Sequence, residues 1–153
     1  MGETRIRLRL NAPRARVYQA FLDPRAVQSW MVPAGMRSEV HAFDAREGGA
    51  FRISLSYDAP VGAGKTSAHT DTYHGRFVKL IPDQKIVEVL EFETEDSAMR
   101  GQMTITVTLA QVSGGATELM VVHADLPSGL SPADNEKGWR SSLERLAKLV
   151  DTA

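Results

Sequence analysis

The sequence predicts an α+β domain in which a curved antiparallel sheet of about seven strands is followed by a long C-terminal helix. Residues 37–124 alternate between apolar and polar side chains over most of their length, which is typical of strands with one face in water. Parallel strands are covered on both faces and read as continuous apolar runs, so this alternation favours antiparallel pairing. Residues 135–150 instead repeat apolar side chains at helical spacing.

The first strand and two short helices are predicted at the start of the chain. Ile6, Leu8 and Leu10 alternate with arginines, which gives this strand one apolar and one charged face. Residues 11–13 (Asn-Ala-Pro) supply a cap and a proline suited to a first helical turn, and residues 23–24 (Asp-Pro) repeat that signal. We therefore expect two short helices after the first strand.

Turn signals divide residues 37–124 into about six further strands joined as hairpins, because clusters of Gly, Pro and Asp interrupt the alternation. These signals lie at Glu47–Gly49, Ala59–Gly64, Pro82–Asp83, Asp96–Gly101 and Ser113–Gly115. A meander is the simplest topology. The chain shows no internal repeat or linker, so residues 1–153 are predicted to form a single domain.

A long final helix is predicted from Pro132 to about Asp151. Ser131 and Asp134 form a capping-box pattern, and Pro132 occupies the first helical position. One stripe of this helix is predicted to dock on the sheet, with the charged side chains opposite. The stripe consists of Asn135, Gly138, Trp139, Ser142, Leu143, Leu146, Leu149 and Val150.

The first half of this stripe is underfilled. Glycine costs about 1 kcal/mol relative to alanine inside a helix, and Asn135 and Ser142 are small or polar where a packed core would hold leucine. Against a curved sheet such a face leaves a hollow that could hold a ligand. A second interpretation stays open, in which Gly138 only allows Trp139 or a facing strand to approach closely.

Composition limits the classes of function. The 153 residues carry a net charge of −1, which gives little electrostatic steering toward nucleic acid or anionic membranes. The absence of Cys excludes disulfides, thiol nucleophiles and thiolate metal sites. No run approaches the roughly 20 apolar residues of a membrane span. We expect a cytoplasmic protein with no nucleic-acid partner and no membrane span; its oligomeric state, including a homodimer, stays open.

Residues 59–66 (APVGAGKT) fit the loosest form of a phosphate-binding loop. A working loop of this kind is followed by a helix, whose N-terminus supplies backbone donors to the phosphates. Residues 67–77 are Thr-rich and lack a helical apolar stripe, and Ala59 replaces the first glycine of the motif. We therefore interpret the segment as a hairpin tip with a solvated Lys65, not as a nucleotide site.

Scattered histidines give weak indications of metal or catalytic chemistry. His69, Asp71 and His74 suggest a metal site, but in a regular strand His74 points to the face opposite the other two unless a bulge intervenes. We favour solvated strand residues and predict no metal. His41 and His123 lie on separate strands and are interpreted as structural.

An acid and a phenol in an apolar cavity could abstract a proton if burial raised the pKa of the carboxyl group. Asp125, just past the last predicted strand, and Asp71, which shares a strand face with Tyr73, are the candidate acids. We favour a loop-stabilising role for Asp125 and a core role for Tyr73. No catalytic residue and no cofactor are therefore predicted.

The order of the elements and several short motifs resemble one known family. The motifs are residues 15–24 (ARVYQAFLDP), Trp30, residues 47–51 (EGGAF), residues 73–82 (YHGRFVKLIP), residues 85–87 (KIV) and residues 138–146 (GWRSSLERL). They are similar to the START-like helix-grip superfamily (SRPBCC), in the branch resembling the C-terminal domain of the activator of the heat-shock protein 90 ATPase. The resemblance covers nearly the whole chain.

In that family the sheet wraps around the long helix and encloses a cavity for hydrophobic or amphipathic ligands. The resemblance implies that the ligand-binding residues are Trp30, Met36, Phe43, Phe51, Leu55, Tyr73, Phe77, Met103, Asn135, Gly138 and Trp139. Many relatives carry His at the position of Asn135. Asn can orient a ligand by hydrogen bonds but cannot shuttle a proton near neutral pH.

We therefore expect the protein to bind a small hydrophobic or amphipathic molecule, without assigned catalysis. One alternative is a chaperone-regulating or other protein-interaction module, which the name-giving branch suggests; its regulators, however, carry an additional domain ahead of this unit. The other is a cyclase- or isomerase-type enzyme acting on an apolar, polyketide-like substrate.

Overall fold

The computed structural model describes residues 2–57 and 70–152 and confirms the predicted α+β architecture. The strands are β1 (Gly2–Leu10), β2 (Met36–Phe43), β3 (Ala50–Tyr57), β4 (Thr70–Ile81), β5 (Lys85–Phe92), β6 (Met103–Val112) and β7 (Ala116–Leu126). The helices are α1 (Arg14–Leu22), α2 (Pro24–Trp30) and α3 (Pro132–Val150). The loop at residues 59–66 and His69 lie outside the described residues.

The seven strands form one antiparallel sheet in the order β1-β7-β6-β5-β4-β3-β2. Strands β2 to β7 therefore follow one another as the predicted meander, and β1 pairs with β7 at the far edge. Because β1 and β2 lie at opposite edges, α1 and α2 carry the chain from one edge to the other. This connection places both short helices beside α3.

Helix α3 begins as its capping pattern predicts. The Ser131 hydroxyl accepts a hydrogen bond from the Asp134 backbone N–H at 3.3 Å, and Pro132 occupies the first turn. Leu143 and Val150 are buried in the second half of the helix. Leu149, which was assigned to the docking stripe, is 44% exposed, so that assignment was wrong.

The start of α1 differs from its prediction. Pro13 is the N-cap, and no side chain caps this helix. Asn11 instead fastens the end of α3: its side-chain amide donates to Asp151 at 3.0 Å, and its carbonyl accepts from the Thr152 backbone N–H at 3.1 Å. The chain between β1 and α1 is thus tied to the C-terminal end of α3.

Trp30 joins the two short helices. Its indole N–H donates to the Ala20 carbonyl at 2.8 Å, and its ring meets the edge of Phe21 with ring centroids 4.8 Å apart. The side chain is 1% exposed.

Among the described residues, no helix is both long enough and apolar enough to cross a membrane.

Two glycines allow a matched test of packing. A Cβ atom added at Gly75 on β4 would overlap the Val89 carbonyl oxygen and lie 2.8 Å from the Phe51 ring. A Cβ at Gly138 would touch only Pro33, at 3.7 Å. We expect Gly75→Ala to destabilise the fold by about 2 kcal/mol, as overpacking does, and Gly138→Ala to stabilise it by up to about 1 kcal/mol.

Urea unfolding of both variants measures these changes in the free energy of unfolding. Equal effects of the two alanines would contradict this description of the sheet and of the face of α3.

Candidate functional site

A cavity of about 380 Å³ lies between the inner face of the sheet and the first half of α3. Helices α1 and α2 contribute Phe21 and Val27 to its wall. Nine of the eleven residues implied by the family resemblance also lie in the wall: Met36, Phe43, Phe51, Leu55, Tyr73, Met103, Asn135, Gly138 and Trp139. Most of the wall is apolar.

The strand register explains why side chains distant in sequence meet at the cavity. Residues paired directly across antiparallel strands point to the same face, and one transverse row of such pairs crosses five strands. This row consists of Phe43, Phe51, Gly75, Leu90 and Met103. All but Gly75 line the cavity, so the row forms an apolar floor.

A neighbouring row is less apolar. It consists of Thr4, His123, Ile105, Glu88 and Phe77, again paired strand to strand. His123, Ile105 and Glu88 line the cavity. Two titratable side chains therefore stand on the wall two strands apart, which is roughly 10 Å at the usual strand spacing.

The opposite side of the cavity is formed by α3. Asn135, Gly138, Trp139 and Ser142 line it. Because a Cβ at Gly138 would meet only the Pro33 Cγ at 3.7 Å, the glycine is not required for a close backbone approach. The geometry therefore favours the hollow over the close-packing interpretation.

Trp30 and Phe77, also implied by the resemblance, do not lie in the wall. Trp30 is held between α1 and α2 by the contacts given above. Phe77 shares the inner face of the sheet but is not part of the wall; its ring centroid lies 5.5 Å from that of Phe43 and 5.3 Å from that of Phe51. Both side chains support residues of the wall, and each is 1% exposed.

Asn135 belongs to a buried hydrogen-bond network. Its amide nitrogen donates to the Thr4 hydroxyl at 3.0 Å and to His123 Nδ1 at 3.1 Å. The Trp139 indole N–H donates to the same His123 nitrogen at 3.1 Å. Both amide hydrogens of Asn135 are therefore used within the protein, and of its side-chain atoms only the oxygen has no hydrogen bond to a described residue.

His123 is neutral in this network. Burial lowers the pKa of His123 to about 4, because the charged imidazolium is poorly solvated there. Its Nδ1 accepts hydrogen bonds, so the proton sits on Nε2, which faces the Met103 sulfur at 3.2 Å. A structural histidine was predicted, on the surface or in the core, but its place in the cavity wall was not.

Glu88 was not singled out by sequence reasoning. It is 8% exposed, lies in the wall, and has no hydrogen-bond or ion-pair partner within residues 2–57 and 70–152. Burial raises the pKa of Glu88 to about 7. Its position between Ile86 and Leu90 in the alternation of β5 is the signal that could have found it.

Tyr73 stands near Glu88 on the same wall. Burial raises the pKa of Tyr73 far above its usual range, and the nearby carboxylate of Glu88 raises it further. The phenol is therefore a neutral hydrogen-bonding group at any ordinary pH. Asp71 lies on the wall as well, whereas Asp125 is exposed and does not, so Asp125 and Tyr73 do not form an acid–phenol pair.

The suggested metal site does not assemble among the described residues. The register between β3 and β4 is regular, so Asp71 points into the cavity while His74 points outward. There His74 contacts Glu93 at 2.9 Å and Glu91 at 3.2 Å. No group of three His, Asp or Glu in the described residues could hold a metal ion.

His41 contacts the Ser54 hydroxyl at 2.8 Å.

The ionisation of Glu88 should make the free energy of unfolding depend on pH. Folding raises its pKa from 4.5 to about 7, so its contribution is complete below pH 4.5 and is lost as pH rises through 7. Glu88→Gln removes this loss. As pH rises from 4.5 to 8, the original protein should therefore lose about 3 kcal/mol of unfolding free energy relative to Glu88→Gln.

Urea unfolding at both pH values measures this difference. His123 acts with the opposite sign in both proteins, since its folded pKa is lowered, and therefore cancels from the comparison. Glu144→Gln removes an exposed carboxyl of α3 and serves as the control. A pH dependence in Glu88→Gln that parallels that of the original protein would contradict the buried carboxyl.

Comparisons with known proteins agree with this fold. Residues 11–151 match the family model described as Activator of Hsp90 ATPase homolog 1-like protein. Protein CV1439 from Chromobacterium violaceum is similar at 34% identity over 100% of both chains, with a TM-score of 0.87. A Staphylococcus epidermidis protein shares the fold at 20% identity and a TM-score of 0.77, over 97% of this chain and 89% of its own.

DynU16, a protein of the dynemicin biosynthetic locus, also shares the fold, at 21% identity and a TM-score of 0.68. The likeness covers 98% of this chain and 47% of DynU16. Among curated proteins, none matches the chain. The family model and the 34% identical structure cover nearly all of the sequence, so the chain belongs to the Activator of Hsp90 ATPase homolog 1-like family, within the START-like helix-grip (SRPBCC) superfamily.

Proposed function

We propose that the protein binds a small hydrophobic or amphipathic molecule in the cavity between the sheet and α3. The observation that carries this proposal is the cavity of about 380 Å³ at the underfilled half of α3. This volume lies within the range of ligand pockets, which is about 300–1,000 Å³. A few polar groups set in an apolar wall are also typical of such pockets.

The driving force would come from the apolar wall. Phe43 and Phe51 on one side and Trp139 on the other present ring surfaces to the cavity. Each Å² of apolar ligand surface removed from water contributes about 25 cal/mol. Orientation would come from the oxygen of Asn135, because the amide hydrogens of that side chain are engaged within the protein.

The two alternatives have less support in the structure. A chaperone-regulating role rests on the family name alone. For the enzyme, the pairing of Asp125 with Tyr73 does not form, because Asp125 is exposed and outside the cavity wall; of the two candidate acids, only Asp71 lies in the wall with Tyr73.

Filling the hollow tests the proposal. The neutral dye Nile red should fluoresce on binding to the original protein and should raise its melting temperature. Gly138→Leu places a side chain in the cavity, where a Cβ has room. We expect the affinity for Nile red to fall by about tenfold or more, which corresponds to about 1.4 kcal/mol of binding free energy.

The control is Lys137→Leu, which adds the same side chain at the neighbouring, exposed position of α3. This variant should keep the affinity of the original protein. Circular dichroism establishes that both variants fold. Unchanged binding of Nile red by folded Gly138→Leu, or no binding by the original protein, would contradict the proposal.

A further inference from the structure

Glu88 is a carboxyl group in the apolar wall that has no hydrogen-bond or ion-pair partner in the part of the chain that the structure describes. Its neighbours in the strand pairing are Phe77 on β4 and Ile105 on β6, and its neighbours along the inner face of β5 are Ile86 and Leu90. Buried carboxyl groups are normally paired, because an isolated charge loses its hydration without compensation. Because Glu88 lines the cavity, a molecule bound there can supply the group that pairs with it.

The charged side chains among the described residues of the wall have one sign. Asp71 and Asp134 lie in the wall together with Glu88. None of the described residues in the wall is Lys or Arg. Within this described wall an anionic head group would meet the carboxyl group of Glu88, whereas a cationic head group would meet complementary charge there.

We infer that the occupant of the cavity is an apolar molecule carrying a protonated amine, and that Glu88 binds this amine. The inference rests on the proposed function, since it names the class of ligand for the same cavity. An ammonium group donates hydrogen bonds to a carboxylate, and such charge-assisted bonds are about twice as strong as neutral ones. The apolar part of the molecule would fill the space beside Gly138.

The affinity for an amine should increase as pH rises through 7. Burial raises the pKa of Glu88 to about 7, and a bound ammonium would lower it. Amine affinity should therefore be highest above pH 7, while the amine stays protonated, and should fall as pH drops below 7. The limiting slope is about tenfold per pH unit.

Besides Glu88, the described wall of the cavity carries other titratable side chains that could affect this slope. They are Asp71 and Tyr73 on β4, His123 on β7 and Asp134 on α3. His123 and Tyr73 stay neutral between pH 6 and 8 because burial shifts both away from this window. The wall residues from β2, β3, β6, α1 and α2 include no titratable side chain among those described.

Three ligands with the same alkyl chain test the inference: decylamine, decanol and decanoate, each displacing Nile red. At pH 7.5 we expect decylamine to bind roughly tenfold or more tightly than decanol, the range of a hydrogen bond to a charged group. Decanoate should bind most weakly. Lowering the pH to 6 should weaken decylamine by up to about tenfold and leave decanol unchanged.

Glu88→Gln should bind decylamine and decanol within about threefold of each other, because the charge is gone and the shape is kept. Glu144→Gln, which removes an exposed carboxyl of α3, should retain the preference for the amine. The ligand comparison and the pH profile of the original protein need no variant, so the inference stays testable if Glu88→Gln fails to fold.

The outcomes separate the two proposals. If decanol binds as tightly as decylamine, or if the amine preference persists in folded Glu88→Gln, the assignment of an amine to Glu88 is overturned while the cavity remains a binding site. If none of the three ligands displaces Nile red and the dye itself does not bind, the proposed function fails as well.

Discussion

The absence of a side chain at Gly138 is the constraint around which the site is arranged. Helices dock on sheets by filling the space between them with side chains at native packing density. In α3 this holds for the half that carries Leu143 and Leu146, which are buried to 1% and 0% exposure. The other half presents Asn135, Gly138 and Ser142, whose small or polar side chains leave the space open. One helix thus secures the fold with its C-terminal half and forms the cavity with its N-terminal half.

Two buried titratable groups show how the wall is made polar at limited cost. His123 and Glu88 occupy the same transverse row of the sheet, separated by Ile105. His123 accepts hydrogen bonds from Asn135 and Trp139, so the protein itself satisfies it. Glu88 has no such partner among the described residues. The same physical environment therefore yields one group used for structure and one group left for recognition.

The fold was predictable because its signals are local. Period-two alternation predicted the strands, and Ser131 with Pro132 predicted the start of α3. The assignment of Leu149 to the docking stripe was wrong because helical spacing alone does not show which edge of a stripe the neighbouring elements cover. That edge depends on how α1, α2 and β1 pack against α3.

The site was harder to predict because it depends on register across the sheet. The family resemblance implied aromatic side chains, but it could not separate Phe51, which lines the cavity, from Phe77, which packs against Phe51 and does not line it. Glu88 carries a local signal, since it interrupts an apolar face of β5. His123 carries no local signal that distinguishes a position in the wall from one in the core. Its role depends on hydrogen bonds from Asn135 and Trp139, which lie on the later helix α3.

Methyl resonances of methionine test the location of the ligand most directly. Met31, Met36 and Met103 line the cavity, whereas Met99 and Met120 do not. Titration with naphthol, a neutral aromatic molecule, should shift the methyl signals of the first three by ring currents and leave the other two in place. If Met31, Met36 and Met103 do not shift, or if Met99 and Met120 shift equally, the cavity between the sheet and α3 is not the binding site.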